Sequence, residues 1–456
     1  MLRIPEIIQK KRDGGELSRD EMEALVLGGL RGEVPDYQVS AWLMAVYFRG
    51  MTPQETTTLT SILQHSGRQL ELPSLDKPIL DKHSTGGVGD KTSLVVVPLL
   101  AALGIAVPKM SGRGLGFTGG TVDKLESIPG FRTDFTAEEI ARLVEKVGAC
   151  LVGQSPDMAP ADKYLYALRD VTATVDCIPL IAASVMSKKL AGGADYILLD
   201  VKTGPGAFMP HLPDALELAQ KLVEIGEMAG RHTLALVTDM SQPLGEAVGN
   251  ALEVAEAIRV LRRESGASSA RFETLCVELA AHALLLTGME ISLWQARLRA
   301  RECLNGGKPL EVFRAMVEAQ GGDPRVVDDL SRLPQAPIRL SVFVPEVGYI
   351  HAIDARRVGL LAVRLGAGRS RKEEAIDHAT GIRILRHVGD HVDPILPVAE
   401  VHARTEEKAQ EAVEELEECF RVGEGAPAFQ PLVYAVVPHR EEEAPLPVSE
   451  KGWERG

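Results

Sequence analysis

Residues 81–93 read Asp-Lys-His-Ser-Thr-Gly-Gly-Val-Gly-Asp-Lys-Thr-Ser, and this stretch decides the fold. It follows a short apolar run that predicts a strand, and it leads into 93–103, whose apolar residues predict a helix. The glycines let successive backbone N–H groups point inward as a nest for an anion, and the helix N-terminus adds partial positive charge. Full charges and hydroxyl donors come from Lys82, Lys91, Ser84, Thr92 and Ser93. The stretch therefore predicts an anion-binding loop in an α/β fold.

A second glycine loop, 109–126, also lies between a predicted strand and a predicted helix. Its GxGxxG spacing is a weak sign of a dinucleotide site, because that fold has one such loop near its start and a ribose-binding acid further on. Two polar, basic loops within one sheet indicate instead a compact anion, such as phosphate, held from two sides. Tight turns alone would not require Lys82, Ser84, Ser93, Ser111 and Thr121. A Walker A loop is disfavoured because Asp90 stands where that motif has glycine.

Strand-like runs alternate with helical stretches on both sides of these loops, which predicts a parallel sheet with right-handed crossovers. The predicted architecture is a small all-helical domain, a large α/β domain with a central mostly parallel sheet, and a C-terminal α+β domain. Capping-box pairs at Ser18/Glu21 and Thr52/Glu55 mark helix starts in the first domain. The predicted ranges are 1–66 helical, with 159–192 packing back onto it; 74–158 and 193–306 α/β; 307–338 a connector; and 339–437 C-terminal.

Composition narrows the class of protein. The chain has 456 residues, 45% of them hydrophobic, and a formal charge of -14, which disfavours a nucleic-acid-binding protein. The apolar run 94–107 is interrupted and too short to span a bilayer, so no membrane partner and a cytoplasmic location are expected. Five dispersed cysteines without a CxxC suggest neither a zinc site nor a disulfide framework. Asparagine occurs only at Asn250 and Asn305, which hints at a thermostable protein or merely at codon bias.

A third polar cluster comprises Arg169, Ser184 and Lys188. The serine and lysine are four residues apart and share a helix face. A hydroxyl beside two cations suits a planar, carbonyl-rich ligand that becomes anionic. From spacing alone, solvated surface ion pairs are the more common outcome for such residues.

These segments together resemble the thymidine and pyrimidine-nucleoside phosphorylases. The residues that carry the resemblance are Ser-Gly-Arg-Gly-Leu-Gly-Phe-Thr-Gly-Gly-Thr-Val-Asp-Lys-Leu-Glu at 111–126, the first loop at 82–90, Tyr-Ala-Leu-Arg-Asp-Val-Thr at 166–172 and Asp-Val-Lys-Thr-Gly at 200–204. The resemblance implies a pentosyltransferase of nucleoside salvage. Its reaction is the reversible phosphorolysis of thymidine, uridine and deoxyuridine to free base and α-D-(deoxy)ribose 1-phosphate.

By the same resemblance, the phosphate contacts fall on Lys82, Ser84, Ser93, Ser111 and Thr121, with Lys109 and Met110 adjoining. Arg169, Ser184 and Lys188 would hold the base, and the catalytic residues would be His83, Arg169 and Lys188. The two cations would stabilise charge on the departing base. A histidine with a pKa near 6.5 can donate a proton at neutral pH, and this is the role expected of His83.

The resemblance implies no organic cofactor but raises the question of potassium. Members of the pyrimidine-nucleoside branch bind a monovalent cation at positions that correspond here to Gly89, Lys91, Leu244, Ala247 and Glu256. The Lys91 ammonium could take the place of the ion and pair with Glu256, so potassium dependence is open. A second departure is Phe117, where many relatives have histidine.

The resemblance also implies a homodimer that contacts through the helical domain, with the base and phosphate bound across an interdomain cleft. The stretch 37–48 is apolar on more than one face, which fits either a core or such an interface. A strictly thymidine-specific phosphorylase and an anthranilate phosphoribosyltransferase-like enzyme remain alternatives. A nicotinamide oxidoreductase and a non-catalytic nucleoside or phosphate sensor are more distant ones.

Overall fold

The computed structural model describes residues 3–72, 75–114, 116–155, 157–369 and 374–438. The helices are α1 (Ile4–Arg12), α2 (Arg19–Leu30), α3 (Asp36–Arg49), α4 (Pro53–His65), α5 (Thr92–Leu103), α6 (Thr121–Leu125), α7 (Ala137–Val147), α8 (Pro160–Val171), α9 (Ile178–Ala191), α10 (Leu212–Met228), α11 (Asn250–Leu261), α12 (Ala270–Leu286), α13 (Leu293–Asn305), α14 (Lys308–Ala319), α15 (Ala355–Ala362) and α16 (Glu406–Glu417). The strands are β1 (Leu80–Ser84), β2 (Val107–Ser111), β3 (Ala149–Gly153), β4 (Tyr196–Thr203), β5 (His232–Asp239), β6 (Ala247–Val248), β7 (Ile338–Val342), β8 (Gly348–Ile353), β9 (Gly381–Ile384), β10 (His391–Val392), β11 (Ala399–Ala403), β12 (Phe420–Gly423) and β13 (Val433–Val437). None of the helices in these ranges is long and apolar enough to cross a membrane.

The helical domain begins with α1–α4, and both capping boxes form at the starts of α2 and α4. Its core holds Trp42 and Leu43 of α3, together with Leu165 of α8 and Leu180 of α9. Helices α8 and α9 therefore pack onto α3, which precedes them by more than a hundred residues. Because Trp42 is fully buried in this core, it is unavailable to an interface.

The central sheet has the order β1-β4-β5-β13, in which the first three strands are parallel and β13 is antiparallel at the edge. Strands β2 and β3 form a separate parallel pair, joined to β1 by a bridge between Ile79 and Ala106. The predicted mostly parallel sheet is confirmed. Strand β13 belongs to the 339–437 range predicted as C-terminal, yet it covers the free edge of β5.

The segment 307–338, predicted as a connector, contains helix α14. Helix α14 is amphipathic, and it buries Phe313, Met316 and Val317 in the core of the α/β domain beside α5. The chain then enters the C-terminal domain, where two antiparallel sheets, β6-β9-β11-β7 and β10-β8-β12, pack with α15 and α16. The predicted α+β character of this domain is confirmed.

Candidate active site

The first loop is organised around a buried carboxylate. Asp90 accepts hydrogen bonds from the backbone N–H of Thr92 at 3.2 Å and from its hydroxyl at 2.7 Å, and from the Ser84 hydroxyl. Although burial opposes ionisation, Lys202, Lys82 and Lys124 hold the pKa of Asp90 well below its usual range. Asp90 is thus an anion that fixes the hydroxyls of the loop.

Lys82 is the middle residue of β1, and its ammonium donates to Thr92 Oγ1 at 2.6 Å and lies 3.5 Å from Asp200 Oδ2. Asp200 also accepts from Thr238 Oγ1 at 2.6 Å and lies 2.8 Å from the Lys202 ammonium. Lys82, Asp200 and Lys202 are fully buried. Asp200 and Lys202 both lie in the sequence motif at 200–204, and their i, i+2 spacing on a strand could have placed them on one face.

The start of the second loop brings Lys109 next to Lys189 of α9. The Lys109 and Lys189 ammonium groups both donate to the carbonyl oxygen of Met110, at 2.7 and 3.2 Å, and Lys189 also binds Asp81 Oδ2 at 2.9 Å. Burial and the neighbouring Lys189 hold the pKa of Lys109 well below its usual range. The Ser111 hydroxyl is buried and finds no hydrogen-bond partner among the described residues.

The other residues predicted to contact phosphate lie in the first turns of the helices that follow the two loops. Ser93 is buried in the first turn of α5, and Thr121 is half-buried at the start of α6. The Lys124 ammonium donates to the carbonyl oxygen of Asp90 at 2.6 Å and so ties the second loop to the first. Lys124 was not predicted from the sequence.

His83 sits among these lysines. Burial, followed by the charges of Lys189, Lys109, Lys82 and Lys188, holds the pKa of His83 well below its usual range. An ordinary histidine pKa near 6.5 takes no account of these neighbours, which favour the neutral imidazole. The lysines responsible come from β1, β2 and α9, so this effect was invisible in the sequence.

The residues predicted to bind the base are held differently. The Arg169 guanidinium donates to the carbonyl oxygens of Thr174, Leu180 and Val175, at 3.2, 3.2 and 2.6 Å. Only 3% of Arg169 is exposed, so a solvated surface ion pair is wrong for this residue. Burial lowers its pKa, against the raising influence of Asp162.

Lys188 of α9 joins the same group. Its ammonium donates to Asp162 Oδ2 at 2.5 Å and to Ser184 Oγ at 3.0 Å. Asp162 lies on α8, seven residues and two turns before Arg169, and this helical spacing was the signal that could have revealed it. Because the adjacent Lys189 binds Asp81 and Met110, α9 connects the residues predicted to bind the base directly to the two glycine loops.

Lys91 points away from the anion loop. Its ammonium lies 2.6 and 3.1 Å from the carbonyl oxygens of Leu244 and Ala247, 2.7 Å from Glu256 Oε2, and 5.0 Å from the Phe272 ring centroid. The expectation that Lys91 supplies charge to the anion is therefore wrong, because Glu256 neutralises it. The Leu244 and Ala247 oxygens, Glu256 and the Phe272 ring form a cage around the Lys91 ammonium. Gly89 also lines this cage, since a Cβ there would lie 2.9 Å from the Leu244 oxygen. No group of three or more His, Cys, Asp or Glu able to hold a metal occurs in the described part of the chain.

Comparisons with known proteins agree with this architecture. Residues 5–67 match the helical bundle domain and 76–310 the a/b domain of a glycosyl transferase family, and 349–423 match the pyrimidine nucleoside phosphorylase C-terminal domain. The pyrimidine-nucleoside phosphorylase of Geobacillus stearothermophilus is 51% identical over 391 residues, covering 86% of this chain and 90% of that protein. That of Bacillus subtilis (strain 168) is 48% identical over 405 residues, covering 89% and 93%.

A solved structure shares the fold. The anthranilate phosphoribosyltransferase of Thermus thermophilus superposes with a TM-score of 0.56 over 69% of this chain and 99% of that one. Their sequence identity is 21%, so the likeness concerns the fold alone.

Proposed function

The chain belongs to the pyrimidine-nucleoside phosphorylase family, and on that premise we propose that it catalyses the reversible phosphorolysis of pyrimidine nucleosides. Phosphate would attack C1′ of the nucleoside, and the products would be the free base and α-D-(deoxy)ribose 1-phosphate. The observation that carries the proposal is the crowding of amines beside His83, where Lys109 and Lys189 both donate to the Met110 carbonyl oxygen and Asp81 binds Lys189. Burial and Lys189 lower the pKa of Lys109, and a bound anion would offset this repulsion and favour the charged ammonium.

The two loops supply orientation for the nucleophile. A phosphate held by Lys82, Lys109 and the hydroxyls of Ser84, Ser93, Ser111 and Thr121 would be desolvated and directed at C1′. The free Ser111 hydroxyl gains a partner in this arrangement, which removes the cost of an unpaired buried donor.

The departing base carries negative charge as the glycosidic bond breaks. Arg169 and Lys188 stabilise that charge, because they act in a buried site where electrostatic interactions are stronger than in water. Ser184 holds Lys188 and offers its hydroxyl to the ring. Asp162 fixes the direction of the Lys188 ammonium and is a positioning residue.

His83 becomes an acid when phosphate arrives. A phosphate dianion offsets the lysine charges that depress the imidazole pKa. Phosphate binding would therefore recruit the proton that the leaving base requires, so that His83 is charged only when the nucleophile is present.

Product release from thymidine, uridine and cytidine, measured with and without phosphate, tests the proposed function. We expect phosphate-dependent release of thymine and uracil, which is the broad specificity; release from thymidine alone would establish the strictly thymidine-specific alternative. A requirement for magnesium with phosphoribosyl pyrophosphate would favour the anthranilate phosphoribosyltransferase-like alternative. Loss of turnover in His83→Ala with phosphate binding intact would exclude a sensor.

We also propose that the enzyme needs no potassium. The residues at the corresponding site do not fit an added cation, because the Lys91 ammonium already lies against Leu244, Ala247 and Glu256. The expected result is equal activity and thermal midpoint in sodium and potassium buffers. A potassium-dependent rise in the thermal midpoint of Lys91→Thr, but not of the unchanged protein, would support the replacement.

A homodimer through the helical domain remains a proposal, as does a cytoplasmic location. Tyr37 and Phe48 of α3 are 72% and 76% exposed, which gives this helix an apolar outer face. Sedimentation of Tyr37→Glu/Phe48→Glu should show a monomer if this face forms the dimer. An unchanged dimer would place the interface elsewhere.

A further inference from the structure

The C-terminal domain contacts both glycine loops at their tips. Val88 lies between two glycines of the first loop, and Phe117 lies in the second; they are 1% and 9% exposed. Both side chains belong to the hydrophobic cluster formed by the C-terminal domain, together with residues such as Val358 and Leu361 of α15. The loops that converge on the anion site are therefore anchored in a different domain.

Helix α15 meets the loops through a residue without a side chain. A Cβ at Gly359 would lie 2.5 Å from the carbonyl oxygen of Phe117 and 2.8 Å from Cγ2 of Val88. One turn earlier, Ala355 contacts the 204–207 turn, since a Cβ at Gly206 would lie 2.8 Å from its Cβ. The Gly206 carbonyl in turn accepts the backbone N–H of Val88 at 3.1 Å. One face of α15 thus touches three backbone segments around the site.

Two arginines of the C-terminal domain reinforce the contact with the second loop. The Arg356 guanidinium lies 5.1 Å from the centroid of the Phe117 ring. The Arg369 guanidinium donates to Asp123 Oδ1 at 2.7 Å, and Asp123 Oδ2 accepts the backbone N–H of Gly114 at 2.6 Å. Arg369 consequently acts on the loop backbone through a buried carboxylate.

We propose that α15 and Arg369 are positioning elements that set the spacing of the two loops for phosphate. The proposal rests on the phosphate-binding function proposed above. Glycine-rich loops sample many conformations, and a ligand that must order them binds more weakly than one that finds them in place. A loop whose tip is fixed by Val88 or Phe117 keeps its N–H groups directed at the ligand. This assigns a role to the C-terminal domain and to Phe117.

The test is Gly359→Ala, with phosphate binding followed by calorimetry and the KM values for phosphate and uridine measured separately. Position 359 has an ordinary helical backbone, and alanine is a better helix former than glycine. The helix itself should therefore persist while the added methyl displaces both loops. We expect the Kd and KM for phosphate to rise at least about fivefold, with a smaller change in the KM for uridine. Leu360→Ala, on the exposed side of α15, is the matched control and should leave both values unchanged.

Arg369→Gln provides a second variant that does not alter the packing of the core. It should weaken phosphate binding about threefold or more, because Asp123 is then held by Arg113 alone among the described arginines, and it decides the question alone if Gly359→Ala does not fold. Unchanged phosphate affinity in the folded variants, or an equal loss for phosphate and uridine, would overturn the proposal. Phosphate binding to the unchanged protein is measured first. Its absence would refute the proposed function itself, whereas insensitivity of the variants refutes only the positioning role.

Discussion

The two halves of the site hold their cations in different ways. On the phosphate side, Lys82 is fully buried and lies near Asp200, a carboxylate on the neighbouring strand of the same sheet. On the base side, the Lys188 side chain is 20% exposed and pairs with one acid, Asp162, on an adjacent helix. The strand network fixes its charges through cross-strand neighbours, whereas the helical pair can rearrange when a ligand enters. The site is therefore expected to be more preorganised for binding phosphate than for binding the base.

The largest effect should come from removing the acid that supports the phosphate side. Asp200→Asn keeps the shape of the side chain but leaves Lys82 and Lys202 without their common carboxylate. A buried cation without its partner costs about 3–5 kcal/mol, so the free energy of unfolding in urea should fall by that amount. Asp195→Asn is the control: Asp195 is largely exposed beside Arg231, and its loss should cost at most about 1 kcal/mol. An equal loss of unfolding free energy in Asp200→Asn and Asp195→Asn would contradict the proposed difference between the two halves.

The next effect concerns turnover. Lys188→Met removes a cation that we propose stabilises the departing base, and kcat should fall by about 10²–10³-fold. Phosphate affinity should hardly change, because Lys188 belongs to the other half. Lys163→Met, on the exposed side of α8, should behave like the unchanged enzyme. A loss of phosphate affinity in Lys188→Met that matches its loss of kcat would show that the halves are not separable.

The smallest expected effect is the uptake of protons by the protein when phosphate binds. Because His83 and Lys109 have depressed pKa values in the ligand-free site, phosphate binding should raise both and draw protons from the buffer. Calorimetric titrations with phosphate at about pH 8, where the dianion dominates, should depend on the ionisation enthalpy of the buffer, with the sign of uptake. The uptake should shrink in His83→Gln. Binding enthalpies that are identical in all buffers would contradict this linkage.

Local signals in the sequence predicted much of the architecture. The capping boxes placed the starts of α2 and α4, and the glycine loops placed the ends of β1 and β2. The resemblance predicted that Lys91 pairs with Glu256. It did not reveal Lys188 with Asp162 or Lys189 with Asp81, because these contacts depend on tertiary packing. The place where one face of α14 packs was not predicted either, because it depends on contacts with α5, which is distant in sequence.

The cage around Lys91 has a consequence for the environments in which the protein keeps its structure. A bound ion obeys mass action, so its occupancy follows the composition of the medium. The ammonium of Lys91 is attached to the chain, and its local concentration is set by the short tether rather than by the surroundings. Dialysis or a crown-ether chelator cannot empty the cage. The Lys91 ammonium occupies the cage in the folded protein and leaves it only when the protein unfolds.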